Sequence, residues 1–396
     1  MAFERLSVTQ KDSLDSILTD AVASKSTPAM FFGVTNAEGP LYIKTVGTKL
    51  VDDPASGAID EDSVFWLCSQ TKLITSIAAL QLVEQGKITL DTPVETVLPE
   101  LANPVVVTAH DEAGRPVTTT PAKGKITLGQ LLNHTSGLDY ALDGTTPTTG
   151  ATLGMPVAYS RLYKDGEGVS TFFEVLKGSL PGIPLRFEPG TNFAYGFSTD
   201  CAGFIVERLS GKSLEQYFQD HIFGPLGLTS SSFYLTPQLK ERLLPISYRT
   251  KSGPIERWNA PPIVDQDPAN VRVHLGGVGL ATTPILSRAS FGSLFAPSLP
   301  PAGAATLDVM AGFFNAHVGL PAGAAQFGRG LMVNTADIPG KRRKGSGAWG
   351  GWAGTSFFVD PAAGVAAVVG TQLVPTMDDM HERKYNELER ALYGGL

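Results

Sequence analysis

Apolar residues Leu14, Ile17, Leu18 and Val22 recur at helical spacing and predict an amphipathic helix over Val8 to Ser24. Met30 to Thr35 and Leu41 to Val46 flank Ala37-Glu38-Gly39-Pro40 and read as strand, turn, strand. The next element differs in kind. Between Leu73 and Glu84, the side chains of Leu73, Ile74, Ile77, Ala78, Leu80, Leu82 and Val83 leave almost no polar face. Such a helix belongs inside a large protein, and Gly86 stops it.

Residues 101–125 are polar and punctuated by proline, an excursion from the fold. Leu128 to Leu132 predicts a short helix closing at a turn around Ser136-Gly137. Residues 139–190 are rich in Gly, Thr and Pro, with one helical stretch at Thr171 to Lys177, and read as a lid or site wall. Thr199 to Ser210 and Leu214 to Ile222 read as two helices, and Gly276-Gly277-Val278-Gly279-Leu280 precedes another helical segment. Residues 297–326 read as an Ala/Gly/Pro-rich stretch holding a short helical piece. Thr355 to Val359 and Val365 to Gly370 flank Asp360-Pro361-Ala362-Ala363-Gly364 as a hairpin, before a final amphipathic helix from Met377 to Tyr393.

Strands at both ends with helices between predict an α/β (α+β) architecture: one antiparallel sheet built from the two chain ends, flanked by helices, with a mostly helical region inserted. The expected division is a single unit over residues 1–396, with a sheet region at 1–65 and 275–396 and a helical region at 66–274 carrying the lid-like loop 139–190. Composition narrows the function. The chain is 42% hydrophobic and 17% charged, which suits a sizeable core and excludes a disordered chain. Its net charge of −7, with no basic stripe, argues against nucleic acid as a partner. No apolar run is long enough to span a membrane, and Met1 to Asp20 lacks the pattern of an export signal, so a cytoplasmic protein is expected. Cys68 and Cys201 make no disulfide scaffold, and the six histidines are too scattered for a zinc site, so neither metal nor cofactor is expected.

The candidate chemistry begins at Ser69-Gln70-Thr71-Lys72. Three residues apart at the head of a helix, Ser69 and Lys72 share a face, and the helix N-terminus favours negative charge there. A hydroxyl becomes a nucleophile when a neighbour takes its proton, and a lysine deprived of solvent has its pKa lowered towards that task. The competing view is a plain capping serine beside a solvated lysine. Against that, the following helix offers Lys72 almost no polar face.

With these residues the chain resembles the serine β-lactamase and penicillin-binding-protein superfamily, on the class C-like branch of family VIII esterases and transesterases of the lovastatin-acyltransferase type, where the Ser-x-x-Lys motif supplies the nucleophile. The resemblance spans most of the chain. It runs through Asp62 to Asp91, Ile126 to Leu138, Phe187-Glu188-Pro189-Gly190, Tyr195, Pro225-Leu226-Gly227-Leu228 and Gly276 to Leu280. It implies Tyr195 as the tyrosine that works with Lys72 as general base, and Trp349-Gly350-Gly351-Trp352 as the substrate-binding strand edge. The amides of Ser69 and Trp352 are then the implied oxyanion donors. Where lactamases place Asn two residues after the tyrosine this chain has Phe197, with Ser198 one position off. Where they carry a Lys-Thr-Gly type box it has Trp-Gly-Gly, which suits neutral, apolar esters.

The resemblance implies a serine acyl-transfer enzyme that cleaves a small-molecule carboxylic ester or acyl-thioester donor through a covalent acyl-serine. The acyl group then passes to an alcohol acceptor or to water, an activity that fits secondary metabolism. The rivals are a β-lactamase or D-Ala-D-Ala carboxypeptidase, and a non-catalytic binding protein of the same fold. His134-Thr135-Ser136-Gly137 reads as a turn signature, Cys68 as a small core residue, and Lys341-Arg342-Arg343-Lys344 as a solvated turn or a guide for an acyl-carrier partner.

Overall fold

The computed structural model describes residues 5–112, 116–143, 156–259, 263–282, 291–375 and 378–394. Helix α1 (Val8–Ala23) begins at Ser7, whose hydroxyl accepts the Gln10 N–H while the Gln10 side chain accepts the Ser7 N–H, a capping box. Eight strands form the principal sheet. Three come early: β1 (Ala29–Thr35), β2 (Pro40–Leu50) and β3 (Asp53–Ala58). Five come late: β4 (Ala325–Phe327), β5 (Met332–Asn334), β6 (Gly347–Gly351), β7 (Thr355–Asp360) and β8 (Val365–Gly370). Their spatial order is β4-β5-β6-β7-β8-β1-β2-β3. The two chain ends join where β1 pairs antiparallel with β8, Phe32 opposite Val369 and Val34 opposite Ala367.

Alternation along the strands sends apolar side chains to both faces. Met30, Phe32 and Val34 pack with Leu14 and Leu18 of α1 and with Tyr385, Leu388 and Leu392 of the C-terminal helix Asp379–Tyr393. On the other face Phe357 and Val359 join the largest apolar cluster, whose centre is α2 (Thr71–Glu84). Eleven of the fourteen residues of α2 are buried, as its all-round apolar sequence requires. It packs beside α4 (Ser198–Ser210), and α4 packs in turn on α3 (Leu128–Leu132).

Two stretches carry more structure than their composition suggests. Residues 101–125 hold a hairpin, Val105–His110 against Pro116–Pro121, with Pro184–Leu185 added in parallel. Val105 and Val107 bury into the core, and the prolines sit at the strand ends, where a missing N–H costs the ladder nothing. Residues 297–326 hold an eighteen-residue helix, α5 (Pro301–Val318), not a short piece. Alanine-rich sequence is strong helix former, proline is well placed at the first position, and Leu307 and Ala311 bury against Phe193 and Phe327. Of the lid-like loop, residues 144–155 lie outside the described residues, and 283–290, after Gly276–Leu280, do so too. Among the described residues no helix is long and apolar enough to cross a membrane.

Candidate active site

Ser69 lies one step earlier than expected, in a single 3-10 turn, Cys68–Gln70, that feeds α2. Cys68 adopts φ +49°, a left-handed conformation that costs a non-glycine residue energy and recurs at functional turns. The turn is held from two sides. The Thr71 hydroxyl donates to the Cys68 carbonyl at 2.6 Å, and accepts the Leu280 N–H at 3.1 Å. The Leu67 N–H donates to the Leu280 carbonyl at 2.9 Å. These bonds draw the Gly276–Leu280 segment against the nucleophile turn.

Lys72 is 1% exposed. Its Nζ donates to Ser69 Oγ at 3.2 Å, to the Tyr140 hydroxyl at 3.1 Å and to the Gly277 carbonyl at 2.8 Å. Three acceptors match the three donors of an ammonium. Burial by itself pulls the pKa of Lys72 down, as the sequence suggested. The net direction is the reverse: the negative forms of Tyr140 and Tyr195, the Asp200 carboxylate and the Tyr195 hydroxyl outweigh burial and hold the ammonium above its usual range. The residues that reverse the expectation come from other elements.

Tyr195 arrives on the segment between Pro189 and α4. Lys72 Nζ lies 4.8 Å from the centre of its ring. The Tyr195 hydroxyl accepts the indole N–H of Trp349 at 3.1 Å, so β6 and the Tyr195 segment are tied at the tyrosine oxygen. The His134 turn seats this segment. Ala194 N–H donates to the His134 carbonyl at 3.0 Å, Gly190 N–H donates to the Thr135 carbonyl at 2.7 Å, and the His134 ring packs 5.0 Å from that of Tyr195. Burial and the nearby Lys72 charge push the His134 pKa down, so its ring is a neutral wall. Phe197 is buried among Tyr140, Tyr159 and Phe172. Ser198 pairs with Ser136 at 2.8 Å in the interior.

Gly350 and Gly351 lie at the end of β6, with Gly351 opposite Thr355 of β7. A side chain at Gly351 would fall 2.3 Å from the Leu67 carbonyl, so only glycine lets β6 run this close to the nucleophile turn. Trp352 stacks edge-on to Trp66, ring centres 6.1 Å apart. The Cys68 thiol is pushed up by burial and pulled back by the charge of Lys72, the Trp352 N–H, and the hydroxyl and N–H of Ser69. The Cys68 sulfur lies 3.9 Å from Ser69 Oγ.

Sequence reasoning missed Tyr140, Tyr159, Asp200 and Gly277. Tyr140 follows the His134 turn closely, and Asp200 is an acid in the otherwise apolar start of α4, both readable afterwards as anomalies. The basic run is also different from expectation. Lys341 and Arg342 are buried, and Nη1 of Arg342 donates to both carboxylate oxygens of Glu389 at 2.9 Å each. Only Arg343 and Lys344 of the four reach towards solvent. Among the described residues no cluster of His, Cys, Asp and Glu is arranged to hold a metal ion.

Comparison with known proteins settles the lineage. The Beta-lactamase family matches residues 14–392. The chain belongs to that family. Among characterised members, this β-lactamase-family protein is 32% identical to acyltransferase calJ of Penicillium decumbens over 363 residues, covering 85% of this chain and 81% of that one. It is 30% identical to lovastatin esterase of Penicillium rubens over 371 residues, covering 87% and 88% of the two chains. Unliganded simvastatin synthase of Aspergillus terreus superposes with a TM-score of 0.78 at 26% identity, covering 98% of this chain and 99% of that one. The protein is an acyl-transfer enzyme of the esterase and acyltransferase branch, and its mixed α/β fold with an antiparallel sheet is that of the family.

Proposed function

We propose that Ser69 is the nucleophile of this enzyme and carries the acyl group as a covalent ester. The observation that supports this most directly is the buried Lys72 ammonium donating to Ser69 Oγ at 3.2 Å with the Tyr195 ring against it. In this reading Ser69 Oγ attacks the substrate carbonyl as its proton passes to the ionised oxygen of Tyr195, beside the Lys72 ammonium. Lys72 holds the developing charge on the serine oxygen, and the Trp349 N–H steadies the tyrosine oxygen. The N–H groups of Ser69 and Trp352 stabilise the oxyanion, a contribution worth on the order of 10²–10³ in rate per donor. Tyr195 then returns the proton to the departing alcohol or thiol, and a second alcohol or water releases the acyl group by the same route.

The substrate class is a small, neutral carboxylic ester or acyl thioester. Where a cation would meet a substrate carboxylate, the box carries Trp349, whose indole faces Tyr195 and Phe327. One relative is named a lovastatin esterase and a structural neighbour a simvastatin synthase, and a role in secondary metabolism follows from that likeness. A cytoplasmic setting belongs to the same reading, supported by two buried cysteines that remain free thiols. An acyl-carrier donor would meet Arg343 and Lys344, not the whole basic run.

Intact-protein mass spectrometry after incubation with a panel of esters, with and without alcohols, tests the proposal. An acyl adduct on the Ser69 peptide is expected, and its partition between acid and new ester identifies the acceptor. Labelling by a fluorophosphonate that persists in Ser69→Ala would move the nucleophile elsewhere.

A further inference from the structure

Asp200 is fully buried in the first turn of α4, and the chemistry above does not use it. Its Oδ2 accepts the Tyr159 hydroxyl at 2.6 Å and its Oδ1 accepts the Gly277 N–H at 2.9 Å. An O–H···O distance that short fits a charged carboxylate, and both contacts at Asp200 are donors. Because Tyr159 donates to Asp200, Tyr140 must donate in the 2.8 Å contact between the two tyrosine hydroxyls. Tyr140 in turn accepts from Lys72. Every hydrogen in the series therefore points from Lys72 towards Asp200. Gly277 closes the ring, its carbonyl accepting from Lys72 and its N–H donating to Asp200. A side chain at Gly277 would stand 2.8 Å from Asp200 Oδ2 and 2.9 Å from the Tyr159 hydroxyl, so the ring leaves no room for one.

We propose that Asp200 is the counter-ion that keeps Lys72 an ammonium, acting through Tyr159, Tyr140 and the Gly277 peptide. It is a positioning residue: it touches no reacting atom. The proposal rests on the reading of Ser69 and Lys72 given above. The titratable groups around the pair are Cys68 before α2, His134 and Tyr140 on the turn after α3, Tyr159 and Tyr163, Tyr195, and Cys201 beside Asp200. Asp200 is the one carboxylate named among them; burial pushes its pKa up, and the Lys72 charge, the Tyr159 hydroxyl and the Gly277 N–H pull it back. Removing the Asp200 charge takes away the carboxylate's share of the field on Lys72, which then gives up its proton at lower pH.

The test is the rate of Ser69 labelling by a fluorophosphonate across pH, in wild type, Asp200→Asn and Tyr159→Phe. Asp200→Asn is expected to bring the alkaline fall in rate down by about one pH unit or more, which slows labelling about tenfold on the alkaline limb where the wild-type rate is falling. Tyr159→Phe keeps the carboxylate but cuts the relay, and a smaller displacement in the same direction is expected. A wild-type pH profile in either folded variant overturns the proposal, as does faster labelling at neutral pH, which would make the neutral amine the reactive form. If Ser69 is not labelled even in wild type, the reading of Ser69 itself fails, an outcome distinct from an unmoved profile.

Discussion

At the scale of single residues the site divides into groups named by a local motif and groups named only by their neighbours. Ser69 and Lys72 stand three apart on one turn, and a short pattern suffices to pick them out. Tyr195 needed the surrounding segment, because a lone tyrosine carries no signature. Tyr140 and Asp200 are ordinary residues until folding brings them to one ammonium. Two substitutions test what individual side chains do. Trp349→Phe keeps the ring against Tyr195 but removes the N–H that reaches its oxygen. It is expected to lower kcat by about tenfold with KM nearly unchanged, the worth of one hydrogen bond made to the reacting group. Gly351→Ala places a methyl 2.3 Å from the Leu67 carbonyl. Chemical unfolding should then show a loss of about 1–3 kcal/mol, with Ser69 labelling reduced as β6 is pushed from the nucleophile turn.

At the scale of elements, periodicity identified the helices that have one wet face, and it also picked out α2, which has none. It failed where composition misled. Alanine, glycine and proline together suggested only a short helical piece for α5, although alanine is the best helix former and the other two are tolerated where they fall. The polar residues 101–125 concealed a hairpin because half of its side chains face water. The basic run misled in the opposite sense: Lys341 and Arg342 are buried because Glu389 of the C-terminal helix meets them. Glu389→Gln strands Arg342 without a counter-charge and is expected to cost about 3–5 kcal/mol by urea unfolding. Replacing the pair together, Arg342→Met with Glu389→Leu, should recover only part of that loss, since the buried Lys341 still loses the Glu389 charge.

At the scale of the whole molecule, acid sensitivity has a specific source. His381, in the C-terminal helix, is buried, and neither ring nitrogen has a hydrogen-bond partner among the described residues. Burial pulls its pKa from 6.5 to about 4, with the charge of Arg249 adding to the fall and Asp378 opposing it. Below pH 6.5 the unfolded chain binds a proton at this histidine that the folded chain refuses, so stability is complete above that pH and drains as pH falls towards 4. About 2 kcal/mol should go between pH 7 and pH 5, read as the shift in the urea midpoint. His381→Leu should flatten that slope, and an unchanged slope would assign the acid sensitivity to other groups.

The sequence by itself determined the class of fold and the kind of chemistry. Hydrophobic periodicity is local, and so is the spacing that puts Ser69 and Lys72 on one turn, so both are written in consecutive residues. Only the tertiary structure decided the charge state around the nucleophile. Whether Lys72 holds its proton depends on Tyr140, Tyr195 and Asp200, which lie from 68 to 128 residues farther along the chain, and on a Gly277 carbonyl farther still. An electrostatic environment is a sum over everything near in space, and no window of sequence contains those terms together.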